Sequence, residues 1–218
     1  MDKRLFDLIN KSEAIIFDFD GTVADTEPYA WAAISKAFAS YGIIFDDRYM
    51  KEYIGQTDRV VFEVITKDFN KQIDFDAYMK QKIAYYIESA IKDGLKPFGY
   101  VAEVLETFKN KKFFILSSNK GEAIKAILNH FGTYNHFAKI YSMLDTNLNK
   151  EHCIKNSEEF FNVPSNKLII FEDSYKTINM AKKYGAKTVL IENELNKNFN
   201  CDYDYKINLK DITNGKND

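Results

Sequence analysis

The chain has 218 residues, of which 45% are hydrophobic and 28% charged, and its formal net charge is −2. This apolar content suffices for a packed core, which excludes disorder as the dominant state. The near-neutral charge argues against nucleic acid or an anionic membrane as the main partner, because both usually require a basic surface. The longest apolar run, Tyr29–Ile34, is six residues, far below the ~18 of a membrane span.

The cysteines and the N-terminal residues indicate the compartment. Cys153 and Cys201 do not form a CxxC pair, so neither a disulfide framework nor a thiolate zinc site is expected. The N-terminal residues are interrupted by charges and lack the apolar stretch of a secretory signal. We therefore expect a cytoplasmic protein, a monomer or a weak dimer, with no membrane and no nucleic acid as partner.

Short apolar runs that end at polar or turn residues predict buried strands. These runs are Ala14–Phe17, Phe113–Leu116, Leu168–Phe171, Thr188–Ile191 and a short edge strand near Tyr205–Ile207. Apolar residues recur at helical spacing in three stretches between them: Tyr100–Asn110, Ala123–Phe131 and Ile178–Tyr184. Strands that alternate with helices predict an α/β fold, with a Rossmann-like parallel sheet as its core.

The segment between the first two predicted strands breaks this alternation. It carries three helical patterns and no comparable buried strand: Pro28–Tyr41, Asp58–Phe69 and Phe75–Lys92. We therefore predict an inserted α-helical subdomain at residues 26–95. The α/β core would then consist of residues 1–25 and 96–218.

Polar clusters follow three of the predicted strands. They are Asp18-Phe-Asp20, Ser117-Ser-Asn119 and Glu172-Asp-Ser174. Because the carboxyl ends of parallel strands line one edge of a sheet, we expect these clusters to converge there. Four carboxylates at one edge repel each other unless a cation neutralises them, and hard oxygen ligands favour Mg²⁺. A magnesium ion held by so many carboxylates indicates a phosphorylated substrate.

These motifs, in this order, resemble those of the haloacid dehalogenase-like (HAD) hydrolases, in the C1-capped branch of β-phosphoglucomutase and phosphoglycolate phosphatase. Asp18-Phe-Asp-Gly-Thr-Val-Ala-Asp-Thr26 matches the first family motif, DxDGTxxDT. Ser118, Lys150 and Glu172-Asp-Ser174 stand where the second, third and fourth motifs are expected. The resemblance covers Ala14 to about Ile191, and it implies that the inserted helices are a C1-type cap.

The resemblance implies a Mg²⁺-dependent phosphatase that forms an aspartyl-phosphate. Asp18 would be the nucleophile, and Asp20 would act as general acid and then as general base. Mg²⁺ would be held by the Asp18 carboxylate, the Asp20 backbone carbonyl and Asp173. Glu172 would be either a direct ligand or a water-mediated neighbour.

A second group of residues would bind the phosphoryl group of a small phosphorylated metabolite. Ser118 would donate its hydroxyl at a helix N-terminus, a favourable site for an anion, with Ser117 as the alternative donor. Asn119 follows Ser118 as in the family and belongs to the same group. Lys150 would supply a point charge that offsets the negative phosphoryl oxygens.

The inserted helices are expected to select the substrate, and four residues are candidates for contacting it: Gly55 and, after it, Gln56, Thr57 and Arg59. Ala30 stands where β-phosphoglucomutase has a histidine. Asp58 stands where that enzyme has an arginine, and it would repel a distal phosphate. Both departures favour hydrolysis of a phosphomonoester. The alternatives are a β-phosphoglucomutase-like phosphotransferase and a catalytically idle HAD-fold binding protein.

Overall fold

The computed structural model of the protein describes residues 1–53 and 56–210. The chain divides into two compact units, one formed by Met1–Asp25 with Leu95–Asp218 and the other by Thr26–Gly94. We call the first the core unit and the second the helical unit. Among the described residues, no helix has the length and apolar character needed to cross a membrane.

The core unit alternates strands and helices along the chain. Its first elements, α1 (Lys3–Asn10) and β1 (Ala14–Phe17), precede the helical unit, which contains α2 (Glu27–Ala39), α3 (Arg48–Tyr53), α4 (Asp58–Asp68) and α5 (Phe75–Lys92). The core unit resumes with α6 (Gly99–Thr107), β2 (Lys112–Ser117), α7 (Gly121–His130), β3 (Phe137–Ser142), α8 (Met143–Thr146), α9 (Lys150–Lys155), α10 (Ser157–Phe161), β4 (Leu168–Glu172), α11 (Tyr175–Lys183), β5 (Lys187–Glu192) and β6 (Tyr205–Asn208).

The strands of the described residues form one six-stranded sheet in the order β3-β2-β1-β4-β5-β6. Every neighbouring pair in this sheet is parallel. In the centre, Ala14 of β1 is paired with Leu168 of β4, and Phe17 with Phe171. The predicted α/β fold with a parallel sheet is therefore confirmed. All the strands end at the same edge, which we call the carboxyl edge.

Strand β3 has no counterpart among the strands predicted from the sequence. It lies at one end of the sheet, where Ala138 and Lys139 are exposed. An edge strand is only partly covered, so it does not need the continuous apolar run that marks a central parallel strand. The predicted edge strand near Tyr205–Ile207 is present as β6.

Aromatic side chains fill the centre of the core unit. The Phe17 ring stacks on the Phe171 ring of the neighbouring strand, with 4.6 Å between their centroids. Phe17 also lies 6.5 Å from the ring of Phe113 on the other side. Burial of each such ring contributes about 1.5–3 kcal/mol to stability. This packing fixes the strand whose end carries Asp18.

The helical unit has its own aromatic core. Helix α2 packs against α5, and the rings of Phe38 and Tyr78 lie 4.6 Å apart between them. Thr57 and Asp74 cap the helices α4 and α5, since their side-chain oxygens accept hydrogen bonds from Val60 N and Ala77 N. These caps explain why both helices start where the sequence predicts.

Candidate active site

Asp18 and Asp20 stand directly beyond β1. Asp18 N donates to Phe171 O at 2.9 Å, which extends the β1–β4 pairing by one residue and fixes the Asp18 backbone at the carboxyl edge. The chain then turns through Gly21, whose φ of +70° is accessible to glycine at little cost. This turn keeps Asp20 beside the neighbouring strand, where its Oδ1 accepts a hydrogen bond from Asn119 Nδ2 at 3.1 Å.

The acidic pair that ends β4 lies beside Asp18. Asp18, Glu172 and Asp173 each offer one carboxylate oxygen, and these oxygens lie within 4.8 Å of one another. Asp18 and Glu172 are buried, and Asp173 is half-buried. Residues far apart in the sequence thus converge as the parallel sheet predicts. The carboxylate of Asp20 is not part of this trio.

Lys150 bridges two members of the carboxylate trio. It is the first residue of α9, a helix capped by Asn149, whose Oδ1 accepts from His152 N at 2.7 Å. The Lys150 ammonium lies 2.9 Å from Asp18 Oδ1 and 2.7 Å from Glu172 Oε2. Its side chain is only 13% exposed, unlike that of an ordinary surface lysine.

Burial and the neighbouring charges shift the pKa values of Asp18, Glu172, Asp173 and Lys150. Burial, followed by the Glu172 charge, raises the pKa of Asp18 to about 8, against the opposing Lys150 ammonium. Burial and Asp18 raise the pKa of Asp173 to about 7, and burial raises that of Glu172 against the effect of Lys150. Burial lowers the pKa of Lys150, but the Asp18 and Glu172 carboxylates outweigh it and raise this pKa overall.

The donor set suits a hard divalent cation. The trio contains three carboxylates, and the Lys150 ammonium contacts two of them, Asp18 and Glu172. Burial makes any negative charge that remains on the trio costly. Oxygen donors of this kind are the ligands that Mg²⁺ takes in proteins. Glu172 already accepts a hydrogen bond at each oxygen, from Ser174 N at 3.1 Å and from Lys150. Both Glu172 oxygens are thus engaged by hydrogen bonds of the protein itself.

The residues after β2 divide into a buried and an exposed serine. Ser117 is fully buried, and its Oγ accepts from Asn119 N at 3.0 Å. Ser118 is exposed. The Ser117 hydroxyl is thus engaged in the local turn, whereas the Ser118 side chain is accessible.

The start of α7 differs from the expectation of an open anion site. Lys120 N donates to Asn119 Oδ1 at 2.8 Å, and Gly121 N donates to Asp145 Oδ2 at 3.0 Å. Two N–H groups of the first turn are thus taken by side chains of the protein itself. Any anion beside Ser118 would have to rely on other donors.

The predicted substrate residues belong to the helical unit. Gly55 lies outside the described residues. Gln56 is exposed, and Thr57 caps α4, with its Oγ1 3.4 Å from Val60 N. The Arg59 guanidinium lies over the Phe75 ring, 3.7 Å from its centroid.

The charge of Asp58 is not isolated, which corrects the expectation that it would simply repel a phosphate. Lys82 Nζ lies 2.5 Å from Asp58 Oδ1. Lys82 itself is only 9% exposed, so the pair is largely withdrawn from water. A buried lysine that offsets the carboxylate removes most of the repulsion inferred from the sequence.

Comparison with known proteins agrees with this geometry. Residues 15–191 match the family described as haloacid dehalogenase-like hydrolase. The chain belongs to this family. The match begins within β1 and ends within β5, and it thus covers every strand end that carries a residue of the carboxylate trio.

Named relatives of this HAD-like hydrolase are phosphatases. It is 27% identical to the phosphoglycolate phosphatase of Aquifex aeolicus over 81% of this chain and 83% of the relative. It is 24% identical to the fructose-1-phosphate phosphatase YqaB of Escherichia coli over 80% and 94%. The crystal structure of CbbY from Rhodobacter sphaeroides in complex with phosphate superimposes with a TM-score of 0.77 at 18% identity, covering 90% and 93%. The chain is therefore an HAD-like hydrolase of the phosphatase type.

Two asparagines beside the site were not predicted from the sequence. Asn193 and Asn196 follow β5, and Asn193 Nδ2 donates to Asp173 Oδ2 at 3.2 Å. The rule that identified the other clusters, a polar residue at the end of a parallel strand, also applies to Asn193. It was missed because the segment after residue 193 is rich in polar residues throughout.

Proposed function

We propose that this hydrolase is a Mg²⁺-dependent phosphatase that hydrolyses small phosphorylated metabolites through an aspartyl-phosphate on Asp18. One observation carries the proposal: the buried Lys150 ammonium contacts the Asp18 and Glu172 carboxylates, with Asp173 beside them. A cytoplasmic location and a monomeric or weakly dimeric state complete the proposal. The inserted helices, residues 26–95, would act as the cap that selects the substrate.

Asp18 would attack phosphorus. One of its carboxylate oxygens forms the new P–O bond while the bond between phosphorus and the ester oxygen breaks. The backbone of Asp18 is fixed by the hydrogen bond to Phe171 O, and its Oδ1 is held by Lys150. A nucleophile that is positioned in this way needs little reorganisation before it reacts.

Asp20 would act as general acid in the first step and as general base in the second. It gives a proton to the departing ester oxygen, and it then takes one from the water that attacks the aspartyl-phosphate. That second attack breaks the bond between Asp18 and phosphorus and releases inorganic phosphate. Asn119 Nδ2 donates to Asp20 Oδ1 and so holds the side chain in place between the two steps.

Lys150 would also stabilise the phosphoryl group. An ammonium has three N–H donors, and the contacts with Asp18 and Glu172 account for two of them. The third can donate to a phosphoryl oxygen without loss of either contact. Ser118 and Asn119 would supply the further donors at the end of β2.

The carboxylates of Asp18 and Asp173 and the backbone carbonyl of Asp20 would hold Mg²⁺, with Glu172 next to them. When bound, the ion offsets the repulsion between Asp18 and the phosphate dianion and orients the phosphoryl group. This assignment is consistent with the trio of acids, of which Lys150 contacts Asp18 and Glu172.

A generic assay tests the proposal. We expect the protein to release p-nitrophenol from p-nitrophenyl phosphate with Mg²⁺, to lose this activity in EDTA and to regain it with Mg²⁺ or Mn²⁺. Calcium should support little turnover, because it prefers more ligands and looser geometry. Full activity in excess EDTA would contradict the metal assignment, and no activity under any condition would favour the idle binding protein.

A second assay separates hydrolysis from phosphoryl transfer. Ala30 offers no proton donor or acceptor where β-phosphoglucomutase has a histidine, so water should capture the intermediate. The protein would receive β-glucose 1-phosphate with a trace of the 1,6-bisphosphate. Inorganic phosphate as the main product supports the phosphatase, whereas rapid accumulation of glucose 6-phosphate would support the phosphotransferase. A panel of phosphorylated metabolites would then identify the preferred substrate.

A further inference from the structure

The loop after β5 makes a set of hydrogen bonds directed at Asp173. Asn193 Nδ2 donates to Asp173 Oδ2 at 3.2 Å. Asn196 Nδ2 donates to both Asp173 O and Ile191 O, at 2.8 Å each. Asn196 is only 8% exposed. The buried Asn196 amide thus connects Asp173, which follows β4, to Ile191 near the end of the neighbouring strand β5.

The orientation of the Asn193 amide is fixed by its own loop. Its Oδ1 accepts from Leu195 N at 2.9 Å and from Asn196 N at 3.1 Å, and Asn193 N donates to Asn196 Oδ1 at 2.9 Å. A flipped amide would place Oδ1 against the Asp173 carboxylate and its N–H groups against two other N–H groups. The hydrogen-bond network therefore determines that Asn193 presents a donor to Asp173.

Asp173 is enclosed from a second direction by the first motif. A Cβ atom built on Gly21 would lie 2.5 Å from Asp173 Oδ2 and 3.8 Å from Asn193 Nδ2. The carboxylate oxygen is thus confined between the Gly21 backbone and the Asn193 amide. Rotation of this carboxylate would break its hydrogen bond with Asn193.

We propose that Asn193 is a positioning residue that fixes the Asp173 carboxylate for the divalent cation, with Asn196 as its support. The inference rests on the proposed function, because it concerns how the metal is held. Substitution of a residue that orients a metal ligand through a hydrogen bond typically lowers metal affinity or activity by about 10–100-fold. Asn193 reaches Asp173 from a different strand end than any of the proposed ligands, so it can be altered separately.

The test uses Asn193→Ser, which keeps an oxygen that can accept from the loop N–H groups but is too short to donate to Asp173. Asn198→Ser is the matched control, since Asn198 is exposed in the same turn. Titration of the full-length apoprotein with Mn²⁺ alone, followed by calorimetry, should give a Kd about 10–100-fold weaker for Asn193→Ser. The Kd of Asn198→Ser should equal that of the wild type.

A kinetic readout separates positioning from a general structural defect. The Mg²⁺ concentration that gives half-maximal rate should rise with Asn193→Ser by the same factor, while the rate at saturating Mg²⁺ returns to nearly the wild-type value. The unfolding midpoint in EDTA should match that of the wild type. If Asn193→Ser unfolds, Asn193→Gln replaces it, because it keeps the amide but displaces it by one methylene, and the same loss of Mn²⁺ affinity is expected.

An Mn²⁺ affinity of Asn193→Ser equal to that of the wild type would overturn the inference, and so would a low rate at every Mg²⁺ concentration. These failures differ from a failure of the proposed function. In the latter case, the wild-type protein itself would bind no Mn²⁺ and release no phosphate.

Discussion

The two compact units of the chain differ in how their buried acidic and basic side chains are balanced. In the helical unit, the Asp58 carboxylate and the Lys82 ammonium form a one-to-one pair at 2.5 Å. At the carboxyl edge of the core unit, by contrast, three carboxylates lie together, and the Lys150 ammonium contacts two of them, Asp18 and Glu172. The first arrangement pairs one acid with one base, whereas the second places three acids beside one base, where burial and the neighbouring acids raise the pKa values of Asp18 and Asp173.

This difference separates a structural ion pair from a reactive site. A neutral buried pair can be exchanged for apolar side chains with little loss of stability, whereas unbalanced buried charge costs free energy. Groups with strongly shifted pKa values cluster where chemistry takes place. The comparison therefore predicts that charge changes in the core unit affect catalysis first, and that those in the helical unit affect stability first.

The largest effect should follow from loss of the Asp18 charge. Asp18→Asn removes the nucleophilic carboxylate, so we expect turnover of p-nitrophenyl phosphate to fall below detection. The fold should persist, because a neutral amide relieves the repulsion with Glu172. Steady-state rates measure the loss of turnover, and circular dichroism measures whether the fold persists. The control is Asp7→Asn, at an exposed position of α1. Wild-type rates for Asp18→Asn would show that the nucleophile lies elsewhere.

Loss of the Lys150 ammonium should affect catalysis and stability together. Lys150→Met leaves the carboxylates without their cationic partner, so we expect the rate to fall by about 10²–10³-fold. In EDTA the free energy of unfolding should fall by about 3 kcal/mol, and Mg²⁺ should restore part of it. Lys155→Met, at an exposed position of the same helix, should change neither quantity. A stability loss that Mg²⁺ leaves untouched would contradict the shared role of lysine and metal.

In the helical unit, the expected effect is on stability. Asp58→Asn leaves Lys82 largely buried without its partner and should lower the free energy of unfolding by about 1–3 kcal/mol. This is below the value for a fully buried pair, because the Asp58 side chain keeps 23% exposure. The double variant Asp58→Asn/Lys82→Met should recover most of the loss in urea denaturation. Failure of the second substitution to recover stability would remove the contrast between the two units.

The smallest effect concerns Arg59, which the sequence predicts as a substrate residue and the structure places over Phe75. Loss of this cation–π contact in Arg59→Ala should lower the free energy of unfolding by about 0.5–1 kcal/mol. Arg59→Lys keeps the charge without the planar stack and provides the control. KM values measured alongside decide the role: an unchanged KM assigns Arg59 to packing, and a raised KM supports the predicted substrate contact.

The sequence predicts the central sheet well, because parallel strands buried on both faces must be continuous apolar runs. Ala14–Phe17 and Leu168–Phe171 are such runs, and both are central strands. β3 was missed for the same reason, since its exposed Ala138 and Lys139 interrupt the pattern. The sequence pattern therefore predicts strands that are buried on both faces, and it does not predict β3, which is partly exposed.

For the site, the sequence predicts which side chains meet but not how their hydrogen bonds are shared. Strand ends bring Asp18, Glu172 and Asp173 together, as the topology requires. The occupation of the α7 N-terminus by Asp145 depends on the placement of α8, which follows β3, the strand that the sequence did not predict. Pairing of Asp58 with Lys82 likewise joins two helices across a segment that periodicity cannot connect.

The pairing of β1 with β4 has a consequence for the time at which the enzyme becomes active. Ala14 pairs with Leu168 across most of the chain, so the entropy cost of closing that long loop opposes the contact until β4 is available. A chain emerging from the ribosome therefore exposes the first motif long before its partner acids exist. The carboxylate trio is therefore incomplete until β4 joins the sheet, and we expect recovery of activity after dilution from denaturant to follow that pairing.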